Sequence, residues 1–260
     1  MKIPENRFKQ AILTGQPQLG LWLMTCSPIV AECVSFAGVN WVLIDGEHAP
    51  NDISSIEAQL HAVSASTATP MVRVAWNDPV LIKQLLDIGV QSLLIPYVQD
   101  VSEARAAVSA TRYPPHGIRG VALGGTRATR YGAVENYVEF VHRELCVVVQ
   151  IETKAALENI EAIATVEGID GVFIGPNDLA ASLGHLGNVV HPDVTKAIDY
   201  AIERCRRLNK PAGILTGNAA QAQKYFKQGF TFVAGGSDIG LLATGTRNLV
   251  RDALLTQSKV

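Results

Sequence analysis

The feature that most restricts the fold of this chain is a short apolar segment that recurs eight times in alternation with stretches of helical character. The segments are rich in Val, Ile and Leu, and continuous apolar runs of this length are typical of strands buried on both faces. Alternation of such strands with helices requires that the strands are parallel. The predicted strands are residues 18–23, 41–44, 70–74, 92–96, 146–152, 171–176, 211–215 and 230–236.

Eight strand–helix pairs predict an α/β protein, a single (β/α)8 (TIM) barrel over residues 1–260. A length of 260 residues is typical of that barrel. A doubly wound sheet usually has fewer strands and a GxGxxG motif after the first, whereas here the first strand runs through Trp22. An amphipathic helix at residues 5–14 is expected to cap the barrel floor. A last helix, from about Ser237 into the 250s, is expected to extend the C-terminal end.

The composition excludes several classes of protein. Hydrophobic residues make up 48% and charged residues 18% of the chain, which is typical of a globular protein and not of a disordered one. A net charge of −2 without a Lys/Arg run argues against nucleic acid as a partner. There is no apolar stretch of about 18 residues for a membrane span and no secretory leader, so we expect a cytoplasmic protein.

The four cysteines lack the spacing of a metal-binding or redox motif. Cys26, Cys33, Cys146 and Cys205 are scattered along the chain without a CxxC pair. Two of them fall in apolar runs, so we expect buried free thiols instead of disulfides or a zinc site.

Polar and ionisable residues gather at the carboxyl ends of the predicted strands. In a (β/α)8 barrel these ends all face the active site. The side chains are therefore predicted to share one cavity, although they come from distant parts of the sequence. The set comprises Trp22, Asp45, Glu47, His48, Arg73, Gln150, Glu152, Asn177, Asp178 and Leu215.

Two carboxylates in this set suggest a metal site. Glu152 and Asp178 follow neighbouring strands, and carboxylates held close together repel each other unless a proton or a cation lies between them. Because no Cys or His stands at ligand spacing, the pair favours a hard or borderline ion such as Mg²⁺ or Mn²⁺. Asp178 is also placed to cap the helix that follows it, and the sequence leaves both roles open.

A histidine and an arginine complete the predicted chemistry. His48 is suited to proton transfer near neutral pH, and Asp45 is predicted to orient its ring; a histidine that only pins the loop is the alternative. Arg73 lies inside an apolar strand, where an unpaired guanidinium is costly. Its expected partners are Asp45 or Glu47 from the adjacent strand, or a substrate carboxylate or enolate. Glu47 is predicted to be an ion-pair partner and not a second base.

No lysine lies within a predicted strand. A Schiff-base aldolase of barrel type needs a desolvated lysine there. Carbon–carbon bond chemistry next to a carbonyl would therefore use a metal ion as the electron sink. The long, glycine-containing connection at residues 113–127 is predicted to be a functional loop.

Five segments closely resemble the class II, metal-dependent pyruvate aldolases. That family includes 4-hydroxy-2-oxoheptanedioate aldolase, 2-dehydro-3-deoxyglucarate aldolase and 2-keto-3-deoxy-L-rhamnonate aldolase. The resemblance runs from Phe8 to about residue 245 and implies a phosphoenolpyruvate/pyruvate-domain-like barrel. The segments are LIDGEHAPN (43–51), IKQLLDIG (82–89), TRYPP (111–115), VQIE (149–152) and FIGPNDL (173–179).

The resemblance implies cleavage of a 4-hydroxy-2-oxo acid to pyruvate and an aldehyde. Matched by motif, Glu152 and Asp178 would hold a divalent ion (Mg²⁺, Mn²⁺ or Co²⁺) that pyruvate chelates. Gln150 and the backbone N–H groups of Asn177 and Asp178 would contact pyruvate.

The remaining site residues would act on the reacting atoms or shape the cavity. By the same resemblance, Arg73 would stabilise the enolate oxygen. His48, paired with Asp45, would exchange the proton of the aldol hydroxyl. Trp22 and Leu215, at the ends of the first and seventh predicted strands, are expected to contact substrate. The resemblance also implies a homohexamer, a dimer of trimers that exchanges C-terminal helices, and residues 237–257 fit such a helix.

The identity of the substrate is divided between two members of this family. Residues 76–79 look like the heptanedioate enzyme, whereas residues 51–54 and 180–188 look like the glucarate enzyme. Asn177 stands where Ala or Ser is familiar, and the loop at residues 121–127 differs from both enzymes and is expected to help select the aldehyde. The leading prediction is 4-hydroxy-2-oxoheptanedioate, which gives pyruvate and succinate semialdehyde in the breakdown of aromatic compounds. The alternative is 2-dehydro-3-deoxyglucarate, which gives pyruvate and tartronate semialdehyde.

Two hypotheses from other classes remain. Residues 235–237 precede a helix and would cradle an anion in a phosphate-recognising barrel isomerase. The last hypothesis is a catalytically idle barrel that acts only as a binding module.

Overall fold

Eight parallel strands close into a barrel, in chain order, in the computed structural model, which describes residues 1–255. Pairing of β1 with β8 closes the sheet. The predicted (β/α)8 barrel is confirmed. The strands are β1 Gln18–Leu23, β2 Trp41–Asp45, β3 Thr69–Arg73, β4 Ser92–Ile95, β5 Cys146–Ile151, β6 Gly171–Ile174, β7 Ala212–Leu215 and β8 Phe232–Ser237.

The helices surround this barrel. The predicted single helix after β5 is instead two short helices, because Asn159 leaves helical geometry (φ −95°, ψ 3°) and separates them. The helices are α1 Arg7–Leu13, α2 Pro28–Ser35, α3 Ile53–Val63, α4 Pro79–Asp87, α5 Val101–Thr111, α6 Tyr137–Glu144, α7 Lys154–Glu158, α8 Ile160–Ala164, α9 Pro176–Ser182, α10 Pro192–Arg207, α11 Ala219–Gln228 and α12 Asp238–Leu255.

Several helices begin at a side chain that accepts a hydrogen bond from the first turn. Such caps supply an acceptor for N–H groups that have no partner inside the helix. They end the strand-to-helix loops at defined positions and so hold the strand ends that build the site. The capping residues include Ser27, Asp52, Asp78, Asp100, Thr153 and Asn218.

The core has two layers. Aliphatic side chains fill the space between strands and helices, whereas large aromatic side chains fill the barrel interior. At the floor, Phe8 of α1 lies 5.5 Å from the Trp41 ring and 5.4 Å from the Phe232 ring. Gly20 makes room for this packing, since a Cβ there would lie 2.2 Å from the Trp41 ring. The helix predicted to cap the barrel floor does so.

All four cysteines are free thiols, and Cys146 and Cys205 are buried, as predicted. No helix in residues 1–255 has the length and apolar character needed to cross a bilayer. Residues 256–260 lie outside the described part of the chain, so the predicted ends of the last helix at 257 and of the domain at 260 stay predictions.

Candidate active site

A cavity of about 550 Å³ opens at the carboxyl ends of the strands. Glu152 is buried directly beside it, where its carboxylate meets Gln150. The structure therefore brings the predicted site residues to one place. Those that line the cavity are Trp22, Asp45, His48, Arg73, Gln150, Asn177, Asp178 and Leu215.

Two carboxylates and an aromatic ring hold Arg73. Its Nε and Nη2 donate to the two oxygens of Asp45 at 2.9 and 2.6 Å, and its Nη1 lies 2.8 Å from Glu47 Oε2. The guanidinium lies 5.1 Å from the centre of the Trp22 ring, whose Nε1 donates to Asp45 at 3.1 Å. Burial raises the pKa of Asp45, but the hydrogen bonds and charge of Arg73 outweigh burial and lower it overall. Arg73 is thus fixed at the cavity wall by an ionised partner.

His48 lies at the cavity rim, and its side chain is 60% exposed. The prediction that Asp45 orients the imidazole is wrong. Both Asp45 oxygens are taken by Arg73, and Asp45 meets His48 only at the backbone N–H, 3.3 Å from Oδ1. The imidazole Nε2 lies instead 3.9 Å from Glu47 Oε2. Glu47 is an ion-pair partner of Arg73, as predicted.

Glu152 is positioned by hydrogen bonds to both of its oxygens. Oε1 accepts from Gln150 Nε2 at 2.6 Å, and Oε2 accepts from the backbone N–H of Tyr97 at 2.9 Å. Gly175 packs against this pair, because a Cβ at that position would lie 2.7 Å from Glu152 Cγ and 2.9 Å from Gln150 Nε2. The carboxylate therefore occupies space that only glycine at position 175 leaves open.

Negative charge accumulates around Glu152. Burial raises the pKa of Glu152 to about 7; the Tyr97 N–H opposes this effect, and the charges of Asp178 and Glu47 add to it. Among the described residues, the buried Oε1 of Gln150 has no hydrogen-bond partner. Carboxylate oxygens, together with amide carbonyl oxygens, are the ligands that Mg²⁺ and Mn²⁺ prefer. The donor set fits a hard divalent cation.

Asp178 is exposed to the cavity and does not cap α9. The N-cap of that helix is Gly175, and no side chain accepts a hydrogen bond from its first turn. The sequence left a capping role and a cavity role open for Asp178, and the structure places it in the cavity wall beside Asn177.

Comparison with known proteins identifies the family of this chain. The profile of the HpcH/HpaI aldolase/citrate lyase family matches residues 18–244. The chain is 53% identical over 249 residues to a pyruvate aldolase of Rhizobium etli, an alignment that covers 96% of this chain and 98% of the relative. It is 51% identical over 244 residues to a 4-hydroxy-2-oxo-heptane-1,7-dioate aldolase of Klebsiella pneumoniae, with 94% and 92% coverage.

This chain belongs to the HpcH/HpaI aldolase/citrate lyase family. A crystal structure of a family member from Burkholderia cenocepacia superimposes with a TM-score of 0.93 at 36% identity, over 95% of this chain and 99% of that one. The resemblance to class II pyruvate aldolases is confirmed, and the protein is an enzyme of the pyruvate aldolase type, a lyase.

In this aldolase the cavity extends beyond the residues that the sequence pointed to. Tyr97, whose N–H donates to Glu152, has a left-handed backbone (φ 57°) and lies two residues after the end of β4. A search of the first two residues after each strand end would have found Tyr97 and Thr216. The loop before α10 does not follow a strand, so only the tertiary structure shows that it forms part of the cavity wall. Additional lining residues include Val189, Val190, Thr216, Gln221, Tyr225, Ser237, Leu241 and Thr244.

The loop at residues 121–127 does not reach the cavity of its own chain. It joins α5 to α6 at the opposite end of the barrel, where Arg127 donates to the carbonyl of Ile88 and to His61. The prediction that this loop helps select the aldehyde is therefore wrong for the cavity of its own chain. Loops that lead from a helix into a strand lie at the end of the barrel away from the site.

Residues 235–237 were proposed to cradle a phosphate at the start of α12. Two backbone N–H groups of that helix start already donate to side chains. Ser237 Oγ accepts from the N–H of Gly240 at 3.1 Å, and Asp238 Oδ1 accepts from the N–H of Ile239 at 2.7 Å. The Asp238 carboxylate would also repel a phosphate. This geometry does not favour the isomerase hypothesis.

Proposed function

We propose that this aldolase catalyses the reversible, metal-dependent cleavage of 4-hydroxy-2-oxoheptanedioate to pyruvate and succinate semialdehyde. The observation that carries the proposal is one cavity lined by Asp178, Arg73 and His48, beside which Glu152 lies buried within the electrostatic influence of Asp178. The Klebsiella relative, 51% identical, is named for this substrate. The individual roles below belong to the same proposal.

The metal would be held by Glu152 and Asp178 and would be Mg²⁺, Mn²⁺ or Co²⁺. When bound, such an ion acts as a Lewis acid that polarises a carbonyl oxygen. Gln150 helps to position Glu152 by donating to it, and its Oε1 is buried without a hydrogen-bond partner among the described residues. In this proposal the cation neutralises the carboxylates that otherwise raise the pKa of Glu152.

The pyruvate half would lie between Gln150, Arg73 and the start of α9. The backbone N–H groups of Asn177 and Asp178 belong to a first turn without a side-chain cap, so they are available to a carboxylate. Arg73 carries the positive charge that would stabilise the developing enolate oxygen, and Asp45 positions its guanidinium.

The proton step would use His48. In the cleavage direction its imidazole accepts the proton of the C4 hydroxyl, the C3–C4 bond breaks, and the electron pair moves toward the carbonyl of the pyruvate half. The aldehyde leaves, and the enolate of pyruvate takes a proton at C3. Glu47, 3.9 Å from the ring, is placed to stabilise the imidazolium that forms.

The aldehyde half would contact Trp22 and Leu215 on the cavity wall. Apolar walls of this kind select by shape. An assay in the condensation direction, with pyruvate and metal, distinguishes succinate semialdehyde from tartronate semialdehyde. Higher kcat/KM for tartronate semialdehyde would replace the proposed substrate by 2-dehydro-3-deoxyglucarate.

The test of the reaction class is pyruvate release from 4-hydroxy-2-oxoheptanedioate. We expect EDTA to abolish it and Mn²⁺ or Mg²⁺ to restore it, and we expect Glu152→Gln and Asp178→Asn to lose activity and metal together. Turnover that survives exhaustive chelation would exclude the proposed mechanism. A folded protein that binds neither metal nor pyruvate would favour the idle barrel.

The proposal extends to the assembly and setting of the protein. We propose one domain over residues 1–260, a cytoplasmic setting, a role in catabolism of aromatic compounds, and a homohexamer built as a dimer of trimers. What supports the assembly is the apolar surface of α12, where Leu242 and Leu249 are 62% and 70% exposed in one chain. A contiguous patch of exposed apolar side chains on a helix usually marks a surface that contacts another protein chain.

A further inference from the structure

A second cluster of ligand-type side chains lies outside the active-site machinery. His185 Nε2 and His191 Nδ1 lie 3.4 and 3.7 Å from the same oxygen of Asp193. One ligand atom from each residue lies within 4.8 Å of the other two. Two atoms that bind one ion through bonds of about 2.1 Å are about 3–4 Å apart, so the spacing suits a single cation.

Two contacts would have to change for such an ion to bind: His191 Nδ1 accepts from the Asp193 N–H, and Lys196 Nζ lies 3.8 Å from Asp193 Oδ1. Within the described residues, neither ring donates a hydrogen bond to Asp193, and the hydrogen bonds of His185 are made by its backbone, whose N–H donates to Ala180 and whose carbonyl accepts from Asn188. The two imidazoles stack with centroids 3.5 Å apart and planes 17° apart. Their side chains are 24% and 32% exposed, which leaves room for each ring to turn about its Cβ–Cγ bond toward a shared ligand.

The local backbone holds the cluster in place. Asp193 stands in the first turn of α10, and its backbone N–H donates to Nδ1 of His191, the N-cap, at 3.2 Å. In that hydrogen bond the Nδ1 lone pair of His191 is the acceptor. A cation would take over this lone pair, and the Asp193 carboxylate would supply negative charge.

We propose that His185, His191 and Asp193 form a binding site for a borderline transition-metal ion of the Zn²⁺ and Co²⁺ class, separate from the catalytic cation. Two imidazole nitrogens and one carboxylate suit such ions, whereas Mg²⁺ prefers oxygen ligands alone. The ion would join the loop before α10 to the first turn of that helix. Val189 and Val190 of this loop line the active-site cavity, so the metal fixes one wall of it.

The site is tested by titrating the metal-free protein with Co²⁺ and counting bound ions by calorimetry. We expect two Co²⁺ per wild-type chain, one in Asp178→Asn and one in His185→Gln, with none tightly bound in the double variant. The affinity lost in His185→Gln should exceed about 100-fold, since even groups behind the ligands are worth about 10–100-fold. His116→Gln, at an exposed loop histidine, is the matched control and should keep both ions.

Two further measurements keep the outcome clear. His191→Asn keeps a good helix cap and should lose the same ion, which separates ligation from helix stability. Hydrogen exchange at residues 184–190 should slow when Co²⁺ is added to wild type and not to His185→Gln. Unchanged stoichiometry in both histidine variants overturns this site, as does thiolate charge-transfer absorption that assigns the second ion to cysteine. Unchanged stoichiometry in Asp178→Asn alone would instead contradict the proposed catalytic site.

Discussion

Arg73 illustrates how a buried charge determines its surroundings. A guanidinium in an apolar strand requires a carboxylate partner, and the sequence pointed to Asp45 or Glu47. The structure assigns both, with a bidentate contact to Asp45 and an ion pair to Glu47. Because Asp45 is committed to Arg73, it cannot also orient the ring of His48.

The role of His48 predicts a selective loss in kinetics. His48→Ala should lower kcat by about 10²–10⁴-fold, the usual range for a general base. Metal affinity should stay unchanged, because the histidine is not among the proposed ligands. Steady-state kinetics and a metal titration measure the two effects. A loss of kcat below about tenfold, or one matched by His116→Ala at an exposed loop histidine, would remove His48 from this role.

The raised pKa of Glu152 predicts how stability depends on pH. Burial raises that pKa from 4.5 to about 7, so between these values the folded chain holds a proton that the unfolded chain has released. The proton bound in the folded state stabilises the metal-free protein fully below about pH 4.5, and this contribution is lost as the pH rises through about 7.

Urea unfolding in the presence of a chelator measures this effect. The midpoint should fall between about pH 5 and about pH 8, and Glu152→Gln should flatten that fall. Excess Mg²⁺ should remove the fall in wild type, because the cation binds the ionised carboxylate. An equal slope in wild type and in the glutamine variant would show that other groups control the dependence.

At the scale of elements, the turn from β6 into α9 sets the position of the proposed ligands. Gly175 ends the strand, leaves room for the Glu152 and Gln150 side chains, and starts a helix that has no side-chain cap. One turn therefore controls both the carboxylate geometry and the free N–H groups of Asn177 and Asp178.

The close packing at Gly175 predicts that one added methyl group there disturbs the proposed metal site. In Gly175→Ala the new Cβ would lie 2.7 Å from Glu152 Cγ, so the carboxylate must shift. We expect metal affinity to fall by about tenfold or more, with a stability loss of about 1–3 kcal/mol from overpacking. Calorimetric titration and urea unfolding give the two values. Gly124→Ala, where nothing lies within 4 Å of the new Cβ, should change neither.

At the scale of the whole molecule, the barrel and its last helix have different surfaces. The strands and the inner faces of the surrounding helices are buried within one chain, whereas α12 exposes Ile239, Leu242 and Leu249. Exposing leucine side chains to water is energetically costly. In the proposed hexamer we therefore expect neighbouring chains to cover these side chains of α12.

The assembly is tested on α12 directly. Leu242→Glu combined with Leu249→Glu places charge in the proposed interface, and we expect light scattering after size-exclusion chromatography to report a smaller species. Asn248→Glu changes an exposed position of the same helix and should leave the mass unchanged. A wild-type monomer, or an unchanged mass in the double variant, would contradict the proposal that α12 mediates assembly.

The sequence by itself determined the barrel, because eight continuously apolar strands alternating with helices have few other ways to bury both faces. It also determined where the predicted polar side chains converge, since strand ends of a closed parallel barrel meet regardless of their separation along the chain. These inferences depend on the apolar periodicity, which is a local property of the chain, and on the barrel topology that eight repeats of it imply.

Only the tertiary structure decided which polar groups are partners. Asp45 turns to Arg73 and not to the His48 ring, Tyr97 holds Glu152 through its backbone, and residues 121–127 lie at the far end of the barrel. The pairing of His185 and His191 with Asp193 is likewise set by how a loop folds back. Hydrogen bonds and ion pairs depend on distances of a few ångströms and on burial, and residue order alone does not specify either.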